Sequence, residues 1–276
     1  MPNYKLIALD LDGTLLNSRK ELTPRTKRAL AQAAERGIAI VPTTGRVYSA
    51  LPENISALPF IRYIISVNGA QIYDLQTKSV LYRAEIPWQD AVKLMTYLDT
   101  LPVLYDCFMD NSAWMTAEFK THIDEFAPDE HYRKMLYELR RSVPELKAFL
   151  TQRAQNVQKV QFFIKDMALR ERLLADLPKQ YPDLLVTTSV VNNIEFNAPN
   201  ANKGKAMGDL AGKLGISQEE TMSFGDGLND LPMIEAAGMG VAMANACREV
   251  LDVANYVTLD CDSDGVADAI EKFCLN

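Results

Sequence analysis

Cysteine, histidine and tryptophan are scarce in this chain of 276 residues, which holds four, two and two of them. The cysteines, Cys107, Cys247, Cys261 and Cys274, lie far apart and form no CxxC pair. That excludes a zinc framework and a disulfide-stapled scaffold, and they read as free thiols of a reducing compartment. No run approaches the ~20 apolar residues of a membrane-spanning helix. The opening MPNYKLIALDLDG lacks the basic and apolar regions of a signal peptide. The expectation is a cytoplasmic protein without a membrane partner. Positive charge is also in deficit, with 29 Lys and Arg against 36 Asp and Glu and a net charge of -7. A protein that tracks nucleic acid needs a basic surface, so that class is excluded as well. What remains, 48% apolar and 24% charged, is the composition of a globular chain with room for one large or two ordinary domains.

Short apolar runs alternate with helical patterns at both chain ends. Residues 5–9, KLIAL, are almost continuously apolar and stop at the polar turn 10–14, as in a strand buried on both faces of a parallel sheet. Thr23 is a good N-cap, Pro24 suits the first helical position, and Ala and Leu recur through Ala34. Residues 38–41 and 63–67 repeat the apolar run, and 71–73 with 80–82 predict a hairpin. From Lys203 the alternation resumes: Ala206, Met207, Leu210, Ala211 and Leu214 share one helical face, and 221–224 form a strand. The middle differs. It predicts a helix over 88–98, strands over 106–116, charged helical material over 118–150 with a solvated face at 138–141, and strands over 158–165 and 184–196, the second interrupted by a turn near Asn192-Asn193. The expected fold class is α/β, a Rossmann-like parallel sheet core with helices on both faces plus an inserted α+β domain. Residues 1–84 and 194–276 would make the discontinuous core and 85–193 the insertion, with hinges near 83–85 and 192–197.

In an open α/β sheet, ligands bind beyond the carboxyl ends of the strands. The residues there are Asp10 and Asp12 after the first run, Thr44 after the second, and Asp226, Asn229 and Asp230 after the late one, while Lys203 opens a helix. Acids that can hold a divalent cation, with a cation for an anionic substrate, fit phosphoryl transfer. Asp10 and Asp12 are two apart, on one side of an extended backbone, and Gly13 allows a sharp turn after them. Mg²⁺ usually takes one or two carboxylates while keeping waters and a phosphate oxygen, and Asp10 and Asp226 suit that role. Lys203 can neutralise phosphate charge and Thr44 can donate a hydroxyl hydrogen bond.

Two other motifs fail. Asp10, Asp12 and Glu21 fall at positions 1, 3 and 12 of a calcium loop, but Leu15 stands where that loop requires glycine. In Gly225-Asp-Gly-Leu-Asn-Asp230, an acid replaces the third glycine of a dinucleotide fingerprint and would repel pyrophosphate. His122 and His131 suggest surface or packing roles, Met233, Met239 and Met243 suggest core, and Glu195 suits either a structural acid at the hinge or a substrate contact.

The stretch LDLDGTLL, the Thr44-Gly45-Arg46 turn, the Lys203-Gly204 pair and SFGDGLNDLPMI from Ser223 resemble, in order and spacing, the four motifs of the haloacid dehalogenase-like phosphohydrolases. Asn68-Gly69-Ala70, GVAMANA from Gly240 and Asp264-Gly265-Val266 look like the Cof-type subfamily of sugar and small-metabolite phosphatases, whose larger mixed α/β cap matches the insertion in size and position. The resemblance implies that Asp10 is the nucleophile, forming an aspartyl-phosphate, and Asp12 the general acid/base. It further implies Mg²⁺ held by Asp10, the Asp12 backbone carbonyl and Asp226, with Asp230 behind them. Leu11 (through its N–H), Thr44, Gly45, Lys203 and Asn229 would hold the phosphate of a small phosphorylated metabolite. Pro42 before the Thr-Thr-Gly-Arg turn and Ala244, where glycine is frequent, depart from the pattern without removing a reacting group. Two alternatives use similar parts. A hexose phosphomutase would return the phosphoryl group to a sugar hydroxyl, and a phosphometabolite sensor or receiver would keep it. Asp12, which supplies the acid/base for turnover, argues against the sensor.

Overall fold

The computed structural model describes residues 4–127 and 129–276; the first three residues of the opening segment and the side chain of His131 lie outside that description. In chain order the first elements are β1 (Leu6–Leu9), α1 (Pro24–Glu35), β2 (Ala39–Pro42), α2 (Glu53–Ser56), β3 (Tyr63–Ser66), β4 (Gln71–Asp74) and β5 (Ser79–Arg83). The middle supplies α3 (Trp88–Leu98), β6 (Val103–Met109), β7 (Ser112–Thr116), α4 (Ala117–Thr121), α5 (Ile123–Phe126), α6 (Glu130–Leu139), β8 (Arg140–Val143), α7 (Leu146–Arg153), β9 (Lys159–Ile164), α8 (Met167–Gln180), β10 (Leu185–Thr187) and β11 (Asn193–Asn197). The last are α9 (Lys203–Lys213), β12 (Thr221–Gly225), α10 (Leu231–Ala236), β13 (Met239–Ala242), α11 (Arg248–Val253), β14 (Tyr256–Val257) and α12 (Gly265–Ile270). Two compact units divide them. The first comprises Met1–Arg46, Leu51–Tyr82 and Asn202–Asn276, the second Val47–Ala50 and Arg83–Ala201.

The first unit is built on a parallel sheet of order β14-β13-β12-β1-β2. β1 is central, paired in register with β12 (Leu6 to Thr221, Leu9 to Phe224) and β2 (Leu6 to Ala39, Leu9 to Pro42). Isolated parallel bridges from Ile40 to Ile61 and from Thr43 to Ile65 lead on to the β3-β4-β5 sheet, in which β3 and β4 pair antiparallel. β1 is wholly buried, which explains its unbroken apolar sequence. Leu6 and Ala8 face a cluster with Val41, Ile65 and the α9 residues Ala206, Met207, Leu210 and Ala211. α1 begins where Thr23 accepts the Thr26 N–H at 3.2 Å, with Pro24 at its first position. Met233 and Met243 lie in the core, with Met239 at its margin.

The second unit is a six-stranded sheet of order β10-β11-β9-β6-β7-β8, antiparallel except for the β7–β8 pair. Three features differ from the sequence reading. Residues 140–143, expected as helix, form the edge strand β8, whose Arg140 is buried rather than solvated. Its guanidinium donates to Asp106 at 2.9 Å and lies 5.0 Å from the Phe108 ring centroid. β11 is hydrogen-bonded on both sides, to β10 and β9, so residues 193–197 belong within a sheet rather than to a hinge. Glu195 is buried there, accepting from Lys159 Nζ at 2.8 Å and Ser189 Oγ at 2.6 Å. Its burial opposes ionisation, but Lys159 and the neighbouring donors outweigh that and lower its pKa. Finally, 167–180 is a helix that the apolar pattern does not predict. His122 lies on the surface, its Nδ1 2.6 Å from Glu125. Among the described residues no helix is long and apolar enough to cross a membrane, and all four cysteines are free.

Candidate active site

The carboxyl ends of β12, β1 and β2 present Asp226, Asp10 and Thr44, all within the first unit. Asp10 is pinned by its own N–H, which donates to the Phe224 carbonyl at 3.0 Å. Thr44 is buried, and its N–H donates to the Ile65 carbonyl at 2.9 Å. Lys203, the first residue of α9, is 0% exposed, and its Nζ lies 2.5 Å from both Asp10 Oδ1 and Asp230 Oδ1. The other Asp230 oxygen accepts the N–H groups of Asp226 and Gly227, each at 2.9 Å. Asp226 accepts the Thr14 hydroxyl at 2.7 Å. Asn229 donates to Asn68 Oδ1 at 3.2 Å. Leu11 buries its side chain, and its carbonyl accepts the Leu16 N–H at 2.8 Å. Gly45 lies so close to Asn68 that a Cβ would stand 3.0 Å from its Oδ1. The sequence-predicted residues thus converge on one end of the central sheet.

Among the described residues, Asp10, Asp226 and Asp230 each bring a carboxylate oxygen within 4.8 Å of the others. One ammonium faces three carboxylates, so the cluster is short of positive charge. Burial pushes the Asp10 carboxyl up to about 8, with Asp230 and Asp226 adding repulsion and Lys203 only partly opposing them. Burial likewise raises Asp226, to about 6, against the Thr14 hydrogen bond. Lys203 is held protonated: burial opposes its charge, but the two carboxylates overcome this. Hard oxygen donors with a deficit of positive charge fit a divalent cation. Asp230 has both oxygens engaged by the protein, so Asp10 and Asp226 are the freer donors.

Three contributors escaped the sequence reading. Arg46 forks onto Asp12, Nε to Oδ2 at 2.9 Å and the terminal nitrogen to Oδ1 at 2.8 Å. Lys20 joins at 2.9 Å from a left-handed backbone position, φ 62°. Burial would raise Asp12, yet these two cations prevail and lower it. Thr14 is the third. Arg46 and Thr14 belong to motifs already noted, so a signal existed for both; Lys20 had none. Gly13 adopts φ 85°, and a Cβ on it would lie 2.5 Å from Asp226 Oδ2. Gly13→Ala is therefore expected to cost about 1–3 kcal/mol of stability and to lower kcat/KM by about tenfold or more as Asp226 is displaced, measured by urea unfolding and steady-state kinetics.

A family model of haloacid dehalogenase-like hydrolases matches residues 7–270. The chain belongs to this family. This haloacid dehalogenase-like hydrolase is 30% identical to 5-amino-6-(5-phospho-D-ribitylamino)uracil phosphatase YcsE of Bacillus subtilis, over 99% of its length and 97% of the relative's. It is 31% identical to pyridoxal phosphate phosphatase YbhA of Escherichia coli, over 96% and 97%. Among solved structures it is similar to the subclass IIB sugar phosphatase BT4131, with a TM-score of 0.80, 26% identity and coverage of 99% and 100%. These relatives class the hydrolase as a phosphatase, its second unit corresponding to a cap domain.

Proposed function

We propose that the protein is a cytoplasmic, Mg²⁺-dependent phosphomonoesterase of small phosphorylated metabolites, sugar phosphates first, with the second unit selecting the substrate. The observation that carries this reading is the fully buried Lys203 between Asp10 and Asp230, beside Asp226, at the ends of the central strands. The relatives named above act on a phosphorylated ribityl compound, pyridoxal phosphate and sugar phosphates, which supports the substrate class. Four free thiols suit the cytoplasm.

Asp10 attacks phosphorus in line as the bond to the leaving oxygen breaks, giving an aspartyl-phosphate, and Asp12 protonates that oxygen. The Asp12 carboxylate then takes a proton from water as water attacks phosphorus, which frees Asp10. Arg46 and Lys20 favour the carboxylate form of Asp12, so the second half-reaction finds its base ready and leaving-group protonation is the more demanding proton transfer. Lys203, Thr44, Gly45, Asn229 and the Leu11 N–H orient the phosphate and offset its charge. Asp10, Asp226 and the Asp12 carbonyl would hold Mg²⁺, with Asp230 steadying them through its hold on the Asp226 and Gly227 amides. When bound, the ion neutralises charge on the phosphoryl oxygens.

A phosphate-release screen over sugar phosphates, ribityl and pyridoxal phosphates and nucleotides, with Mg²⁺ and after chelation, tests this. Release is expected for sugar or sugar-alcohol phosphates, falling about 10³-fold or more on chelation and returning with Mg²⁺. Equal release after chelation would remove the metal, and no release from any substrate would remove the hydrolase mechanism.

A further inference from the structure

The turn between β3 and β4 plays no part in the chemistry above, yet its backbone is left-handed at three consecutive residues. Val67, Asn68 and Gly69 follow one another with φ 51°, 53° and 95°. A β-branched residue in that region is a steric outlier, and such strain persists only where the surroundings over-determine it. The surroundings here are the loops proposed to hold phosphate. The Val67 and Asn68 N–H groups donate to the Arg46 and Thr44 carbonyls, each at 3.0 Å. Gly69 approaches the start of α9 so closely that a Cβ would lie 2.2 Å from the Asn202 carbonyl oxygen, one residue before Lys203. Between these two attachments, the buried Asn68 accepts the Asn229 amide.

We propose that Asn68 is a positioning residue, holding the Asn229 amide toward the phosphate, and that the left-handed Val67–Gly69 turn exists to present it there while keying the Thr44 and Lys203 loops to each other. This rests on the reading of Asn229, Thr44 and Lys203 as phosphate-holding residues. An amide without a partner can rotate away, so the hydrogen bond contributes by pre-orientation rather than by touching substrate.

Asn68→Gly removes the amide while tolerating the left-handed backbone, and Asn229→Ala removes its partner. Calorimetric binding of inorganic phosphate with Mg²⁺, and kcat/KM for an aryl phosphate, are compared for both single variants and the double in the full chain. Asn68→Gly should weaken phosphate binding by about 5–20-fold, with the melting temperature nearly unchanged. The double variant should be no worse than Asn229→Ala alone, within about twofold, because a residue acting through another is non-additive with it. Asn68→Ser, too short to reach Asn229, should give the same pattern and serves if the glycine variant folds poorly. Losses that multiply in the double variant, or wild-type binding by both Asn68 variants, would overturn the proposal. A wild-type chain that binds phosphate with this coupling but never hydrolyses an ester would leave Asn68 in its role and remove the phosphatase reading; one that binds no phosphate overturns both.

Discussion

Asp10→Asn is expected to lower phosphate release from any ester by about 10⁴-fold or more, equivalent to ~5.5 kcal/mol of barrier. The neutral amide keeps the shape and the oxygen that accepts from Lys203, but it is no nucleophile toward phosphorus. The fold should survive. In the metal-free protein, burial raises the Asp10 carboxyl above its ordinary value, so the folded chain binds that proton more tightly than the unfolded one. Ionising Asp10 therefore costs stability as pH rises through its unfolded value and on to its folded one. The variant carries no such charge, so its metal-free urea midpoint at neutral pH should match or exceed that of the wild type. A variant that retains turnover in the phosphate-release assay would rule out the aspartyl-phosphate route.

Lys203→Met is expected to have the largest effect on stability. The side chain is fully buried, and its ammonium is the shared partner of Asp10 and Asp230. Methionine fills much of the space but leaves both carboxylates buried without their cation, a situation that typically costs about 3–5 kcal/mol. Phosphate loses its fixed counter-charge at the same time, so kcat/KM should fall about 10³-fold. Two measurements separate these effects. Mg²⁺, binding only the folded site, should recover part of the lost stability by mass action without restoring activity. Adding Asp10→Asn to Lys203→Met should also recover part of the stability, because one of the two uncompensated carboxylates has been removed. A Lys203→Met variant as stable as wild type would mean that the buried carboxylates are neutral without it.

The strand-end groups of the proposed site were legible in the sequence because each follows a short apolar run, and a parallel strand buried on both faces has no other sequence to offer. Asp10, Thr44 and Asp226 fall at those strand ends by the same rule that placed them. Contacts made across long separations were not legible. Arg140 reads as helix surface until Asp106 and Phe108 are seen beside it. Residues 193–197 read as a strand, but that this strand sits between β9 and β10 rather than at a hinge shows only once its partners flank it. Lys20 reaches Asp12 from a left-handed backbone position, and Asn68 meets Asn229 from a turn of three left-handed residues. Each depends on a partner or a dihedral angle that local periodicity does not encode.

The pairing of β1 bears on how the chain matures. Its β2 partner is synthesised soon after it, but the partner for its other edge, β12, comes only with residues 221–225. Until that segment leaves the ribosome, a wholly apolar strand carries an open row of backbone donors and acceptors, and such edges invite pairing with other chains. Asp10 meanwhile lacks Lys203, so any compact nascent form must expose or protonate it. Association of high sequence separation also slows folding. A nascent chain stalled before residue 203 should thus be a client of chaperones and catalytically silent, and the ammonium that completes the site also marks the point at which burying Asp10 becomes tolerable.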